Sequence, residues 1–271
     1  MVRQYYVPQV TELSEQELQT VFEAAQPPVC LLGGWAVNLH VTPGFHSEYG
    51  REYIGSRDID IGVHVDARWT EEDLPETPVG GSLSAIEDLG YTKSRFGFVQ
   101  NFLRDGQDRI TDVEAGEHSM HEVFQVYVDV IPDTTELDEF RDAFGFRPPA
   151  EPLLAPVFEE GKGGQLAEYV SWSPAADILI VPPDLLAAMK IRSLPGRDKM
   201  HKRIKDVADL HALLWYVTDY TEMKTGALEY VSDSDLGQFE DAIDNPVFEA
   251  AATLLQIEPQ LISDSITRFL R

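Results

Sequence analysis

The order of apolar and polar residues predicts strands in the N-terminal half of the chain. Every second residue is apolar from 59 to 65 in SRDIDIGVHV and from 124 to 130 in FQVYVDVIP. Successive side chains of a strand point to opposite faces, so each segment is expected to form a strand with one buried and one polar face. The turn sequence Arg104-Asp105-Gly106 predicts a hairpin between two further strands.

A short apolar strand and a glycine turn are predicted earlier in the chain. The segment TELSEQELQTVFEAAQPP has the composition of a helix that ends at its two prolines. The apolar run Val29–Leu32 follows, ends at Gly33 and Gly34, and precedes WAVNLH, which indicates strand, tight turn and helix. Residues 42–55 are rich in Pro and Gly and are predicted to form a loop.

Helical periodicity dominates after Pro182 and Pro183. It is found in DLLAAMKIRSL, KRIKDVADLHALLWYV, DLGQFEDAI, NPVFEAAATLLQ and PQLISDSITRFLR. The stretch from 148 to 164 is rich in Pro and Gly and is the best candidate for a connection, although SWSPAADILIVPP can also return to the sheet. We therefore predict an α+β or α/β fold, with a mixed sheet flanked by helices in residues 1–150 and a mainly helical C-terminal domain in residues 151–271.

Composition narrows the class of protein. The 271 residues are 43% apolar, enough for a substantial core, so disorder is excluded as the global description. No apolar run approaches the ~20 residues that span a bilayer, and the N-terminus lacks the apolar stretch of a signal peptide. The one cysteine, Cys30, excludes a disulfide framework. We expect a cytoplasmic protein with no membrane partner.

The charge is strongly negative, with 47 Asp and Glu against 21 Lys and Arg and a formal net charge of -26. The acids are spread along the chain and lysine is scarce, which indicates a halophilic surface of haloarchaeal type, adapted to molar salt. An ordinary acidic protein is the alternative. Either way, a surface that coats nucleic acid broadly is disfavoured, because it needs a positive footprint.

Residues 190–205 break this pattern. They contain seven basic residues opposed only by Asp198, a net charge of +6. In a chain that otherwise avoids Lys and Arg, such a local cluster indicates an anionic ligand.

The polar faces of the two alternating strands carry Asp58 and Asp60 on the first and Asp129 on the second. Strands are depleted in Asp, and like charges so placed repel unless a cation lies between them. Carboxylates are the ligands that Mg2+ prefers, and three of them can hold two metal ions for phosphoryl or nucleotidyl transfer. The alternative is a solvated acidic surface. Gly33 and Gly34 favour the metal site, because glycines at a helix start let backbone N–H groups approach a phosphate.

The motifs LLGGWAV, SRDIDIGV and VYVDVIP together resemble the signature of the polymerase-beta-type nucleotidyltransferase superfamily. The resemblance implies a nucleotidyltransferase-like sheet, and a site in which Gly33, Gly34 and Ser56 contact the nucleotide. It also implies that Asp58, Asp60 and Asp129 bind Mg2+ or Mn2+, Asp129 being the third acid that helps to deprotonate the incoming hydroxyl. The 24 positions from Gly34 to Asp58 exceed the usual gap of the family, and an insertion with Tyr49, Arg51 and Tyr53 could fill it and line the substrate pocket.

The segment LLAAMKIRSLPGRDKMHKRIKDVADLHALL resembles the AbiEii-like branch, the nucleotidyltransferase toxins of toxin–antitoxin systems. The resemblance implies that Lys190, Lys205, Asp206 and Asp209 contribute to catalysis, with both lysines on the nucleotide. From periodicity alone, Asp206 and Asp209 share a helix face with Lys202, and a ladder of solvated ion pairs is the alternative. Lys190 is expected where an apolar face meets solvent.

These observations predict an NTP-dependent and Mg-dependent nucleotidyltransferase. It would transfer NMP from an NTP to an acceptor hydroxyl, for which the resemblance suggests RNA, such as a tRNA end, and a role as a toxin with a cognate antitoxin. One alternative is a nucleotidyltransferase that acts on a small molecule or a protein hydroxyl. The other is a non-catalytic nucleotide-binding module, which the presence of all three strand acids argues against. The histidines show no recognisable metal spacing, and only His64 shares a strand face with Asp58 and Asp60.

Overall fold

In the computed structural model, which describes residues 5–271, the predicted strands join one mixed sheet of eight strands. The strands are β1 (Val29–Leu32), β2 (Ile59–Val63), β3 (Thr92–Lys93), β4 (Gly97–Leu103), β5 (Arg109–Ile110), β6 (Val123–Pro132), β7 (Gly164–Gln165) and β8 (Leu179–Ile180). Their order is β3-β4-β6-β2-β1-β8-β7, with β5 beside β4. Strands β2 and β6 are parallel, as are β1 and β8, and the other pairs are antiparallel.

Twelve α-helices accompany the sheet within residues 5–271. They are α1 (Pro8–Ala24), α2 (Gly33–Tyr49), α3 (Pro78–Asp88), α4 (Asp112–Glu117), α5 (Asp138–Phe144), α6 (Ala155–Glu159), α7 (Pro183–Ser193), α8 (Met200–Tyr216), α9 (Tyr220–Leu228), α10 (Asp233–Asp241), α11 (Asn245–Leu255) and α12 (Pro259–Leu270). Helix α9 is not among the helices that periodicity predicts. No helix among these residues is long and apolar enough to cross a bilayer.

The sheet and most of the shorter helices form one compact unit, called here the sheet unit, of residues 8–35 and 55–181. Its core includes the odd-numbered apolar side chains of β2 and the even-numbered ones of β6 from Phe124 to Val130, each at most 5% exposed. The period-two pattern therefore predicted the buried face of both strands correctly, because burial on one face leaves only one strand register available.

The second compact unit, called here the helical unit, contains residues 5–7, 36–54 and 182–271. It includes α7 to α12 and all of α2 after Trp35. The chain therefore enters this unit twice before its final helices. The predicted fold class, a mixed sheet flanked by helices followed by a helical C-terminal region, is confirmed.

The compact units do not follow the predicted boundary at residue 150. Strand β8 pairs with β1 in parallel and β7 pairs with β8, so residues 151–181 complete the sheet. The segment SWSPAADILIVPP does return to it, and the expected connection at 148–164 contains α6 and the start of β7 instead. Strand partners so far apart in sequence cannot be read from local composition.

The predicted loop at 42–55 is also wrong in its first half, because α2 continues through Pro43 to Tyr49. Val41 and Phe45 are fully buried, and a Cβ at Gly44 would lie 2.0 Å from the carbonyl oxygen of Tyr216. Close packing within the helical unit thus overrides the weak helix propensity of Pro and Gly.

Candidate active site

Asp60 and Asp129 lie side by side in the sheet. They are direct Cα partners in the parallel pair of β2 and β6, and Ile59 in the same register faces Val128. Paired residues of parallel neighbours point to the same face and lie about 4.8 Å apart. Both aspartates are half-buried, whereas Ile59 and Val128 on the other face are fully buried. The sheet therefore places two aspartates side by side on the face opposite the apolar core.

Asp58 immediately precedes β2 and is half-buried like Asp60. It stands in a bend, two residues before Asp60, where the chain enters the strand. By chemical type, the carboxylates of Asp58, Asp60 and Asp129 offer the oxygen donors that Mg2+ or Mn2+ binds. The residues present thus fit a divalent metal ion.

The predicted glycine turn adjoins this acidic face. Gly33 joins β1 to α2 at a φ of +67°, and a Cβ placed on it would lie 1.8 Å from Oδ2 of Asp60. The carboxylate of Asp60 therefore packs directly against the Gly33 backbone. Only glycine satisfies both the left-handed backbone and this contact.

Helix α2 begins at Gly33, so its first backbone N–H groups have no partner inside the helix and its positive dipole end lies beside Asp60. Gly34, in the first turn, is buried. Ser56 is also buried, in the segment that leads into β2. A helix start of this kind attracts phosphate, and the Gly33 contact places it next to the carboxylates.

The helical unit brings together the second set of predicted residues. The Lys190 ammonium from α7 lies 2.6 Å from Asp206 Oδ1 and 2.8 Å from Asp209 Oδ2, both on α8. Lys205 Nζ lies 2.5 Å from Asp209 Oδ1. Arg197, from the turn between the helices, donates through Nε to Asp206 Oδ2 at 2.6 Å. We call these five residues the lysine–aspartate network.

Burial dominates the electrostatics of the lysine–aspartate network. Desolvation alone would lower the pKa of Lys190, but Asp206 and Asp209 hold that pKa above its usual value. Desolvation and the nearby Lys190 lower the pKa of Lys205, and Asp209 only partly opposes them. Desolvation would raise the pKa of Asp206, yet Lys190 and Arg197 keep it below its usual value.

The structure contradicts one expectation about this region and also one of the alternatives. Lys190 is 8% exposed, so it does not lie at the boundary with solvent, and Asp206 and Asp209 are 3% and 0% exposed, so they are no solvated ladder. Helix α8 is buried almost all round from Ile204 to Leu214. Periodicity assigns charged residues to the outside and cannot anticipate that a lysine from another helix will neutralise them.

The insertion before β2, which contains Tyr49, Arg51 and Tyr53, also contributes a contact to this network. Tyr53 donates its hydroxyl to Asp209 Oδ1 at 2.9 Å, and burial together with Asp209 raises the pKa of Tyr53. The hydroxyl of Tyr49 lies 3.1 Å from that of Tyr216, and Arg51 donates to the carbonyl of Leu255. The side chains expected to line a substrate pocket therefore pack within the helical unit. The sequence signal that singled out Tyr53 was its place in the insertion, but its partner lies 156 residues away.

The structure thus places the predicted residues in two groups. Gly33, Gly34, Ser56 and the three strand aspartates belong to the sheet unit, and Lys190, Lys205, Asp206 and Asp209 belong to the helical unit. Arg197 and Tyr53 were not predicted as members of either group. That Lys190 and Asp206 act together with the strand aspartates stays a prediction.

Comparisons with known proteins bear on this arrangement. No curated protein matches the chain. One similar solved structure is described as an antigenic nucleotidyltransferase-like protein from Paracoccidioides brasiliensis, at 14% sequence identity and a TM-score of 0.31, covering 89% of this chain and 94% of that one.

The sequence model of one family, described as "Nucleotidyl transferase AbiEii toxin, Type IV TA system", matches residues 50–265. The match includes the three strand aspartates and the whole lysine–aspartate network, and the glycine turn precedes the matched region. The matched region is most of the chain, and the chain belongs to the AbiEii family of nucleotidyltransferase toxins.

Proposed function

We propose that this protein is a nucleotidyltransferase that moves a nucleoside monophosphate from an NTP to an acceptor hydroxyl and releases pyrophosphate. The observation that carries the proposal is the position of Asp60: it is the register partner of Asp129 in the neighbouring parallel strand, and its carboxylate packs against Gly33 at a helix start. This arrangement supports the proposal, because nucleotidyl transfer requires metal ligands next to phosphate donors.

Asp58, Asp60 and Asp129 would hold Mg2+ or Mn2+, which would supply positive charge to stabilise the charge that develops on the phosphate oxygens. Asp129, the acid from the second strand, would accept the proton of the incoming hydroxyl. Gly33, Gly34 and Ser56 would bind and orient the triphosphate through N–H and hydroxyl donors.

Lys190 and Lys205 are proposed as additional triphosphate ligands, with Asp206 and Asp209 holding both ammonium groups in place. Both ammonium groups are buried and contact Asp209, which supports this role, because charges interact more strongly where the local dielectric is low.

The acceptor is proposed to be RNA, such as a tRNA end, and the protein to be a toxin controlled by a cognate antitoxin. Part of the basic stretch is neutralised internally, since Lys190, Arg197 and Lys205 pair with Asp206 and Asp209. Arg192 and Lys199 remain exposed, and Lys202 and Arg203 are half-buried. Positive charge at the surface of this stretch, as at the exposed Lys199, could contact a few phosphates despite the overall acidity.

The deciding experiment incubates the purified protein in high salt and Mg2+ with each labelled NTP and total tRNA. We expect label in tRNA, lost in Asp58→Ala/Asp60→Ala. The matched control is Asp105→Ala/Asp108→Ala, which removes two exposed aspartates from the hairpin turn of the same unit and should keep full activity.

Other outcomes choose among the alternatives. Label on a small molecule or on protein would replace the RNA acceptor. Nucleotide binding in calorimetry without any transfer would indicate a non-catalytic nucleotide-binding module. Absence of both metal and nucleotide binding would overturn the proposal.

A further inference from the structure

A cluster of ligand-type side chains lies beyond the ends of the two central strands. His64 directly follows β2, Asp133 directly follows β6, and Glu159 is the last residue of α6. One ligand atom from each residue lies within 4.8 Å of the others. Strands β2 and β6 are paired up to Val63 and Pro132, so the sheet register itself brings His64 and Asp133 together.

The cluster is held by neighbouring groups. His64 Nδ1 lies 2.6 Å from Asp133 Oδ2, while Asp133 Oδ1 accepts the backbone N–H of Val65 at 3.0 Å. The side chain of Asp133 is 4% exposed and that of His64 is 27% exposed. The carboxylate of Asp133 is thus buried and fixed by its hydrogen bonds, whereas the imidazole of His64 is partly exposed and an ion can reach it.

Two aromatic rings restrict the imidazole further. The ring of Trp69 lies 6.1 Å from that of His64, and the ring of Phe158, next to Glu159, lies 5.8 Å away on a tilted plane. Apolar neighbours of this kind orient a ligand and lower the local dielectric, which strengthens the attraction between carboxylates and a cation.

The donor types indicate which ion fits. An imidazole nitrogen with two carboxylates suits a transition-metal ion, whereas Mg2+ and Ca2+ prefer oxygen throughout. With bonds of about 2.1 Å, Zn2+ needs ligand atoms roughly 3–3.5 Å apart. When the ion binds, the distance between His64 and Asp133 must therefore increase slightly, and the exposed Glu159 carboxylate must move slightly closer to both.

We propose that His64, Asp133 and Glu159 form a binding site for a divalent transition-metal ion of the Zn2+ type. It is separate from the strand aspartates, because His64 and Asp133 lie four residues beyond Asp60 and Asp129, about 13 Å along the strands. The ion takes the place of the proton between His64 and Asp133 and ties the end of α6 to the ends of β2 and β6. Three protein ligands leave further positions for water.

The site does not depend on the proposed nucleotidyltransferase activity, and its test measures binding alone. The probe is Co2+, whose visible absorption reports nitrogen and oxygen coordination, with Zn2+ calorimetry beside it. Tag-free protein is titrated in the Asp58→Ala/Asp60→Ala background, and the wild type is titrated in excess Mg2+. Both conditions prevent Co2+ and Zn2+ binding at the candidate catalytic site from contributing to the signal.

We expect one Co2+ per chain, displaced by Zn2+ but not by Mg2+. Glu159→Gln should weaken binding about tenfold or more, and His64→Ala should abolish it. Glu160→Gln is the matched control, because Glu160 is the adjacent exposed glutamate and pairs with Lys162 at 3.1 Å instead. Zn2+ should also raise the Tm of the wild type in proportion to the logarithm of its concentration.

Circular dichroism establishes that each variant folds, and the exposed position of Glu159 makes Glu159→Gln decisive if His64→Ala unfolds. Equal Co2+ affinity in Glu159→Gln, Glu160→Gln and wild type would overturn the site. Absence of Co2+ and Zn2+ binding at millimolar concentration would do the same, and would leave His64 and Asp133 as an ion pair alone.

Discussion

The carboxylate of Asp60 lies against the backbone of Gly33, although β2 and the start of α2 are separated by 26 residues. The antiparallel pairing of β1 with β2 creates this contact, since Leu32 and Asp60 are register partners. The absence of a side chain at Gly33 therefore allows the candidate metal ligand Asp60 to occupy its position.

Replacing this glycine tests the contact. Gly33→Ala should lose stability from the left-handed φ, about 1–2 kcal/mol, and a further amount because its Cβ displaces Asp60. Gly50→Ala is the matched control, because Gly50 has the same φ of +67° and a Cβ added there would have no atom within 4 Å. Urea unfolding measures both, and Mg2+ calorimetry should show weaker binding only for Gly33→Ala. Equal losses in the two variants would contradict the contact.

The lysine–aspartate network makes a second prediction. Lys190→Met should lower the free energy of unfolding by about 3 kcal/mol, because Asp206 and Asp209 stay buried with fewer cations. Lys199→Met, an exposed lysine nearby in sequence, should change it by less than about 0.5 kcal/mol. Urea unfolding of both variants at neutral pH is the measurement. A similar small change in both would show that the network contributes little to stability.

A third prediction concerns pH. His211 is fully buried, its Nδ1 lies 2.7 Å from Ser265 Oγ, and burial lowers its pKa to about 4. The unfolded chain binds the proton more readily, at the usual pKa of 6.5, so folding favours the neutral ring. The stabilisation is complete above the unfolded pKa and falls as the pH decreases from 6.5 to about 4. The loss amounts to about 3 kcal/mol.

Unfolding measured across this range in wild type and His211→Gln isolates the histidine from the other titrating groups. The wild type should lose more stability than His211→Gln as the pH falls. Parallel curves for the two proteins would rule out a neutral buried His211.

The basic surface makes a fourth prediction, which rests on the proposed RNA acceptor. Lys199→Glu should weaken tRNA binding and reduce the slope of log affinity against log salt by about 1, because one phosphate contact is lost. Arg104→Glu reverses an exposed charge in the sheet unit and should leave both quantities unchanged. Fluorescence anisotropy at several salt concentrations gives the slopes. An unchanged salt slope in Lys199→Glu would show that Lys199 does not contact the RNA and that the RNA binds at another surface.

The net charge of -26 supports a fifth prediction. Screening removes the repulsion among the acids, so the free energy of unfolding should rise from about 0.15 M to about 2 M KCl. Urea unfolding at each salt concentration tests this. A protein equally stable at both concentrations would be an ordinary acidic protein without adaptation to salt.

The strands were predictable because their information is local. Alternation from 59 to 65 and from 124 to 130 allows only one face to be buried, and the aspartates on the other face follow from it. The glycine turn at Gly33 was equally readable, since few residues other than glycine adopt a positive φ. The pairing of Asp60 with Asp129 could not be read from local sequence, because 69 residues separate them and the register depends on how the two strands align with each other.

The helical unit shows the opposite case. Its helices α7 and α8 were predicted, but periodicity placed Asp206 and Asp209 outside, where isolated charges are stable. The tertiary structure buries them because Lys190 and Arg197 arrive from α7 and the following turn. The same long-range packing draws Phe45 and Tyr53 out of an expected loop into this unit.

Local sequence patterns were therefore sufficient to predict the elements, the chemical types of the candidate ligands and the faces of the strands, since each depends on neighbours within a few residues. Long-range packing, in contrast, sets which charges are buried and paired, how the chain is divided between two units, and that His64, Asp133 and Glu159 meet. Such contacts join distant segments. Their free energy is the balance between the cost of desolvating the charges and the gain from pairing them, and no local pattern encodes that balance.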